Sequence, residues 1–129
     1  MSSSFDVLMR PFESEKLTLK NRIAMAPMTR LKSPNGIPTE EVAAYYERRA
    51  ANDVGLVITE GTNPNHPAAD MSPDIPAFHG EALNKWEEIV TRVHAAGALT
   101  VGLQGRAMAE IGLMKTTEQL ASMEMIGVA

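Results

Sequence analysis

Asn21-Arg22-Ile23-Ala24-Met25-Ala26-Pro27-Met28-Thr29-Arg30 decides how the rest of the chain is read. Ile23 to Ala26 is a short apolar run, the pattern of a strand fully buried in a sheet. Pro27 has no amide hydrogen to give to a sheet ladder, so it closes the strand. Thr29 then places a hydroxyl just past the strand's carboxyl end. In α/β sheets and barrels, loops gather and ligands bind at that end. On pattern alone the plainer reading is a buried strand with an ordinary polar stop, because periodicity carries no functional information.

Two more strands of the same kind follow. Val54 to Thr59 is apolar and runs into Glu60-Gly61-Thr62; Ala98 to Gln104 is the third. Helices separate them. Thr39 is placed as an N-cap, with Glu40 and Glu41 in the first turn, where the helix dipole favours acid. Val42, Tyr45, Tyr46 and the stem of Arg49 make a stripe near helical spacing, which predicts a helix over Glu40 to Ala51. Leu83, Trp86, Ile89, Val90 and Val93 share one face and predict a second helix over Glu81 to Ala96, with Gly97 as its C′ cap. Upstream, Phe5, Val7, Leu8 and Phe12 are apolar anchors around Pro11, and Phe12 to Leu19 reads as a hairpin plugging one end of a larger core. The order is hairpin, β, α, β, α, β. Parallel strands need crossovers of this kind, so the class is α/β, either a barrel or a doubly wound sheet.

The chain has 129 residues, about one domain, with 44% hydrophobic and 22% charged residues, an ordinary globular mix. A net charge of −4 argues against nucleic-acid binding by broad electrostatics. No apolar run is long enough to span a bilayer, and no basic segment with an apolar core opens the chain. The absence of cysteine excludes disulfides, cysteine-ligated metal and a thiol nucleophile, and fits a cytoplasmic address. His66, His79 and His94 are not at metal-ligand spacing, so no metal is expected. Gly102-Leu-Gln-Gly105 follows a strand but lacks the third glycine of a dinucleotide loop. Glu60 shows no partner for acid/base work, Tyr45 and Tyr46 read as packing, and Glu40, Glu41, Glu47, Arg48 and Arg49 read as a solvated helix face. Asn63 to His79 is a long loop with four prolines, either a lid or a connector.

Several motifs in register carry a family resemblance. Leu17-Thr-Leu-Lys-Asn-Arg-Ile-Ala-Met-Ala-Pro-Met-Thr-Arg30 closely resembles the opening of the old yellow enzyme family of NAD(P)H:flavin oxidoreductases. Gly36-Ile-Pro-Thr-Glu, Tyr45-Tyr-Glu-Arg-Arg-Ala50, Gly55-Leu-Val-Ile-Thr-Glu-Gly61 and His94-Ala-Ala-Gly97 continue it in order and spacing, so that it covers roughly residues 5 to 104. The resemblance implies a (β/α)8 TIM-type barrel with FMN at the strand carboxyl ends. It also implies NAD(P)H as reductant and an activated alkene as substrate. Ala26, Pro27 and Met28 are similar to the backbone lip under the flavin. Thr29 is similar to the hydroxyl that hydrogen-bonds the flavin carbonyl beside the reactive nitrogen. Gly61 is similar to the close backbone approach at the end of strand two. Gln104 is similar to the amide that pairs with the pyrimidine edge, where one group offers donor and acceptor together.

The pattern departs after Gln104, which runs straight into Gly105-Arg106. No family motif is legible from Ala107 to Ala129, so the chain divides into residues 1–104 and a divergent tail, 105–129. The family's His/His or His/Asn substrate pair and its proton-donating Tyr have no counterpart, so no catalytic residue is assigned. A whole barrel needs about 250 residues; the hairpin and about three β/α units are legible here. The expectation is an amino-terminal portion of such an enzyme, inactive alone. The alternative is a non-catalytic product that oligomerises or interacts through open sheet edges. Thr116 with Gln119 resembles a capping box, and Leu120, Met123 and Ile126 share a face. The tail is therefore either a short Met-rich helix or arbitrary sequence after a splice, frameshift or deletion.

Overall fold

In the computed structural model, residues 4–69 and 71–104 are described. The predicted capping box and amphipathic face of the tail lie outside them. Helix α1 (Ser4–Met9) leads into a small antiparallel hairpin, β1 (Phe12–Glu13) with β2 (Thr18–Leu19), which pairs Phe12 with Leu19. The main sheet is parallel, in the order β3 (Ala24–Met25), β4 (Leu56–Thr62), β5 (Leu99–Gln104). Helices α2 (Glu40–Ala51) and α3 (Ala82–Ala95) connect these strands.

Register explains the core. Met25 pairs with Val57 and Val57 with Thr100, so these three share one sheet face. Met25 and Val57 on that face join Val42, Tyr46, Trp86, Ile89 and Val93 in one buried cluster. Each fully buried apolar side chain of this kind contributes on the order of 1.5–3 kcal/mol, far more than the 3.6-period pattern stabilises by propensity alone. Ala24, Leu56, Ile58, Leu99 and Val101 lie on the opposite face and keep some exposure. Both helices cover the same side. That arrangement suits a barrel segment and equally the first half of a doubly wound sheet.

The structure corrects several expectations. The strand predicted over Ile23 to Ala26 is only Ala24–Met25, and it is not fully buried: Ala24 and Ala26 are exposed, because no described segment lies over that face. The second strand begins at Leu56 and continues through Glu60 and Gly61 to Thr62. Phe5, Val7, Leu8 and Phe12 are exposed rather than anchored. Thr39 stands at the N-terminus of α2 in extended conformation, but its hydroxyl donates to the Lys32 carbonyl instead of capping the helix. Glu40 and Glu47 are not merely solvated. Both pair with Arg92 and register α2 against α3. Gly97 closes α3 at φ +95°, as a C′ glycine should. Among the described residues no helix is long and apolar enough to cross a membrane.

The turn into β4 is held by Asn21, which is almost wholly buried. Its Oδ1 accepts from the Ile23 amide at 3.0 Å and its Nδ2 donates to the Asp53 carbonyl at 2.8 Å. A Cβ on Gly55 would stand 2.4 Å from that Oδ1, so only glycine lets the two segments meet. Gly55→Ala is therefore expected to lower unfolding stability by about 2–3 kcal/mol, through overpacking and the loss of two buried hydrogen bonds. Urea unfolding followed by Trp86 fluorescence measures it; a loss under about 0.5 kcal/mol would show that Asn21 yields freely.

Candidate functional site

Thr29 and Gly61, far apart in the sequence, meet at the carboxyl end of the sheet. Beyond β3, Ala26, Pro27, Met28 and Thr29 are all exposed. A Cβ built on Gly61 would find Thr29 Oγ1 at 3.9 Å and nothing nearer. Gly61 is not among the residues at positive φ, so conformational freedom is not what glycine supplies there. It supplies an open backbone face beside a hydroxyl, as a strand glycine does where another group approaches closely. Gln104 pairs through its backbone with Thr62, the residue after Gly61. The structure thus brings Thr29, Gly61 and the Gln104 backbone to one end of adjacent strands.

A buried carboxylate lies behind them. The β4–β5 ladder pairs Ile58 with Val101 and resumes at Gly61 with Leu103, so Thr59 and Glu60 oppose Gly102 alone. This is a β-bulge. Strict alternation would put Glu60 on the Ile58 face. The bulge instead turns it toward α2, where it has no solvent exposure. There its Oε2 accepts from the Arg30 amide at 3.2 Å, and Tyr46 Oη donates to Oε1 at 3.4 Å. The same Tyr46 hydroxyl accepts from the Glu60 amide at 2.8 Å. The Arg30 guanidinium is an ion-pair partner at 3.8 Å, too long for a hydrogen bond.

Arg30 is held mainly by rings. Its guanidinium carbon lies 3.5 Å from the Tyr45 ring centre, and that of Arg49 lies 3.6 Å from the same centre. Two guanidinium groups cannot share one face at that distance, so they sandwich the ring, each contact worth roughly 0.5–2 kcal/mol. Nε and Nη2 of Arg30 are buried without hydrogen-bond partners, and the aromatic faces are what offset that cost. Burial pushes the Glu60 carboxyl above the usual carboxylate range, partly countered by the Arg30 amide, the Arg30 charge and the Tyr46 hydroxyl. Burial also raises the Tyr46 phenol, keeping it a donor. Glu60, read from sequence as having no partner for acid/base work, is held by hydrogen bonds from Arg30 and Tyr46. The signal was the placement of Arg30 and Glu60 one residue from Thr29 and Gly61, at the ends of neighbouring strands.

The long loop after β4 is tied down. Asn63 and Ala77 bridge, Gly36 donates to the Pro73 carbonyl at 2.8 Å, and Ala77 donates to the Gly36 carbonyl at 2.8 Å. Trp86 Nε1 donates to the Ala77 carbonyl at 2.8 Å and pins the loop to α3. A cleft of about 480 Å³ opens between this loop and the 33–36 turn, lined in part by Asn35, Asn63, His66 and His79; neither Thr29 nor Gly61 lines it. His94 sits in α3, and no group of three or more potential metal ligands occurs among the described residues.

Comparison with known proteins identifies a family and several relatives. The profile of the NADH:flavin oxidoreductase / NADH oxidase family matches residues 7–122, running past Gln104 into a stretch where no motif was legible. 12-oxophytodienoate reductase 1 of Oryza sativa subsp. japonica is 36% identical over 93 residues, 71% of this chain and 24% of that protein. The old yellow enzyme from Trypanosoma cruzi superposes with a TM-score of 0.69 at 33% identity, over 79% of this chain and 27% of that one. Morphinone reductase in complex with tetrahydroNAD superposes with a TM-score of 0.67 at 31% identity, over 75% of this chain and 26% of that one. These neighbours are (β/α)8 barrels, which decides between the two architectures: the described strands and helices are a barrel segment and do not close. The chain spans about a quarter of the length of the curated relatives it matches.

The raised Glu60 carboxyl has a stability consequence. The folded chain holds this proton more tightly than the unfolded chain, so Glu60's contribution is fully present below the unfolded carboxylate value, near 4.5, and is lost as pH rises through the higher folded value. Glu60→Gln removes that titration. The stability of Glu60→Gln relative to the unmutated chain is expected to rise with pH above about 4.5 in urea-unfolding series. A difference independent of pH would mean that Glu60 titrates as an ordinary exposed carboxylate.

Proposed function

The chain belongs to the NADH:flavin oxidoreductase / NADH oxidase family, and from that premise we propose that it carries the FMN-binding portion of an NAD(P)H-dependent reductase of activated alkenes. One observation supports this most directly: the Thr29 hydroxyl stands beside the open backbone face of Gly61 at the strand carboxyl ends. A planar ring system fits such a place, since a side chain at Gly61 would fill it. In this reading Ala26, Pro27 and Met28 form the lip under the ring, Thr29 donates to its carbonyl, and Gln104 pairs with its pyrimidine edge. Bound there, FMN supplies the hydride relay between a nicotinamide and an alkene conjugated to a carbonyl. The protein's own task is to hold the ring and to set its electron demand.

The same reading holds that this chain does not turn over an alkene by itself. A substrate carbonyl needs paired donors above the ring and a proton donor opposite. Among the described residues, His66 and His79 lie in the long loop and His94 in α3, while Tyr45 and Tyr46 are committed to Arg30, Arg49 and Glu60. A cytoplasmic address belongs to the same proposal. A second reading rests on the uncovered sheet face. Leu56, Ile58, Leu99 and Val101 are half-exposed there, and a module that associates through them would need no catalysis.

The purified chain is expected to retain FMN after excess is removed, with a visible band shifted from that of free FMN. Thr29→Val should weaken binding about fivefold and make the potential more negative by about 20–30 mV, because a donor to the flavin carbonyl favours the electron-rich reduced ring. Spectra and equilibrium with reference dyes measure both. A colourless protein that sediments as an oligomer would favour the second reading and overturn the first.

A further inference from the structure

We propose that Glu60 is the positioning residue for the Thr29 hydroxyl: its buried carboxylate, aimed at α2 by the bulge in β4, holds the Arg30 amide and thereby fixes where Thr29 stands beside Gly61. The inference rests on the flavin reading above and deepens it. Glu60 touches none of the assigned flavin contacts through its carboxylate.

The argument runs through peptide planes. The Arg30 N–H and the Thr29 C=O belong to one planar unit. Anchoring that N–H on Glu60 Oε2 at 3.2 Å therefore fixes the orientation of Thr29 on its carboxyl side. No regular ladder does this, because β3 ends at Met25. Glu60 is itself held at its backbone, where its N–H donates to Tyr46 Oη at 2.8 Å. Its own C=O, which shares a peptide plane with the Gly61 N–H, accepts from Thr59 Oγ1 at 3.2 Å, so Gly61 is oriented on its amino side. The two residues whose nearness makes the site, Thr29 and Gly61, are each one position from the clamp.

Distances decide which partner the carboxylate serves. The Arg30 guanidinium is at 3.8 Å and the Arg30 amide at 3.2 Å. The guanidinium already has the Tyr45 face at 3.5 Å. The hydrogen bond is to the backbone, which is what a device for placing a loop requires, and an ionised acceptor makes it stronger than a neutral one. A fully buried carboxylate is costly to keep. An apolar residue at position 60 would pack the same space but leave the Arg30 amide without its acceptor.

The test uses the 129-residue chain with Glu60→Gln and Thr29→Val, singly and together. The first readout needs no flavin. In amide NMR spectra Glu60→Gln is expected to move the Arg30 proton upfield and to shift Thr29 and Gly61 with it, while Ile89 and Val93 stay in place. Thr29 unmoved while Arg30 shifts overturns the proposal. The second readout is FMN affinity from flavin fluorescence. Glu60→Gln is expected to weaken it about tenfold alone and less than about twofold in the Thr29→Val background. Equal losses in both backgrounds overturn the proposal, since the carboxylate would then act without Thr29. If the unmutated chain takes up no FMN, the flavin reading fails, and the NMR result alone decides the positioning. If Glu60→Gln does not fold, hydrogen exchange in the unmutated chain decides: Arg30 is expected to exchange at least about a hundredfold more slowly than exposed Leu31, and equal rates overturn the clamp.

Discussion

A carboxylate without solvent exposure joins three pieces of chain that the sequence keeps far apart. Glu60 ends the second strand of the sheet, Arg30 leads away from the first, and Tyr46 sits on the helix between them. Leaving such a group buried without partners costs several kcal/mol, so the loop, the strand end and the helix are constrained to stay where its acceptors are used. The bulge at Thr59–Glu60 is what makes this possible, because it changes the phase of the strand just before its carboxyl end. Upstream of it, Leu56 to Ile58 alternate in the ordinary way; downstream, Gly61 presents open backbone where a side chain would otherwise stand.

The core below is one-sided. Parallel strands are usually covered on both faces, and here both helices lie on one. Trp86, Ile89 and Val93 from α3 and Val42 and Tyr46 from α2 carry the packing. The other face carries Leu56, Ile58, Leu99 and Val101, half-exposed. In a closed barrel that face is the packed interior. The family resemblance and the physics of the sheet therefore agree on what these residues are for.

The loops above the sheet are held by backbone hydrogen bonds together with a few side chains. The 33–36 turn and the 73–77 stretch exchange amide hydrogen bonds, and Trp86 ties the second of them to α3. Ala26 to Thr29 are exposed, and Arg30, which follows them, stacks on the Tyr45 ring that Arg49 also contacts.

Much of this was legible in the residues themselves. The spacing of Val42, Tyr46, Trp86, Ile89 and Val93 determined both helices, since a 3.6-residue period has one buried face wherever it is placed. Pro27, Gly97 and the strand–helix alternation determined the punctuation and the α/β class, and motifs in register determined the family. Tertiary structure alone decided the rest. Strand ends moved because pairing with a neighbour, not local propensity, ends a strand: β4 runs through Glu60 and Gly61 because β5 pairs beyond them. Phe5, Val7 and Leu8 are exposed because apolar character does not say what will cover it. The hold of Glu60 on Arg30 and Tyr46 was not legible because a carboxylate's partners are set by contacts across 30 and 14 residues of chain, and by one bulge that no period-two pattern announces.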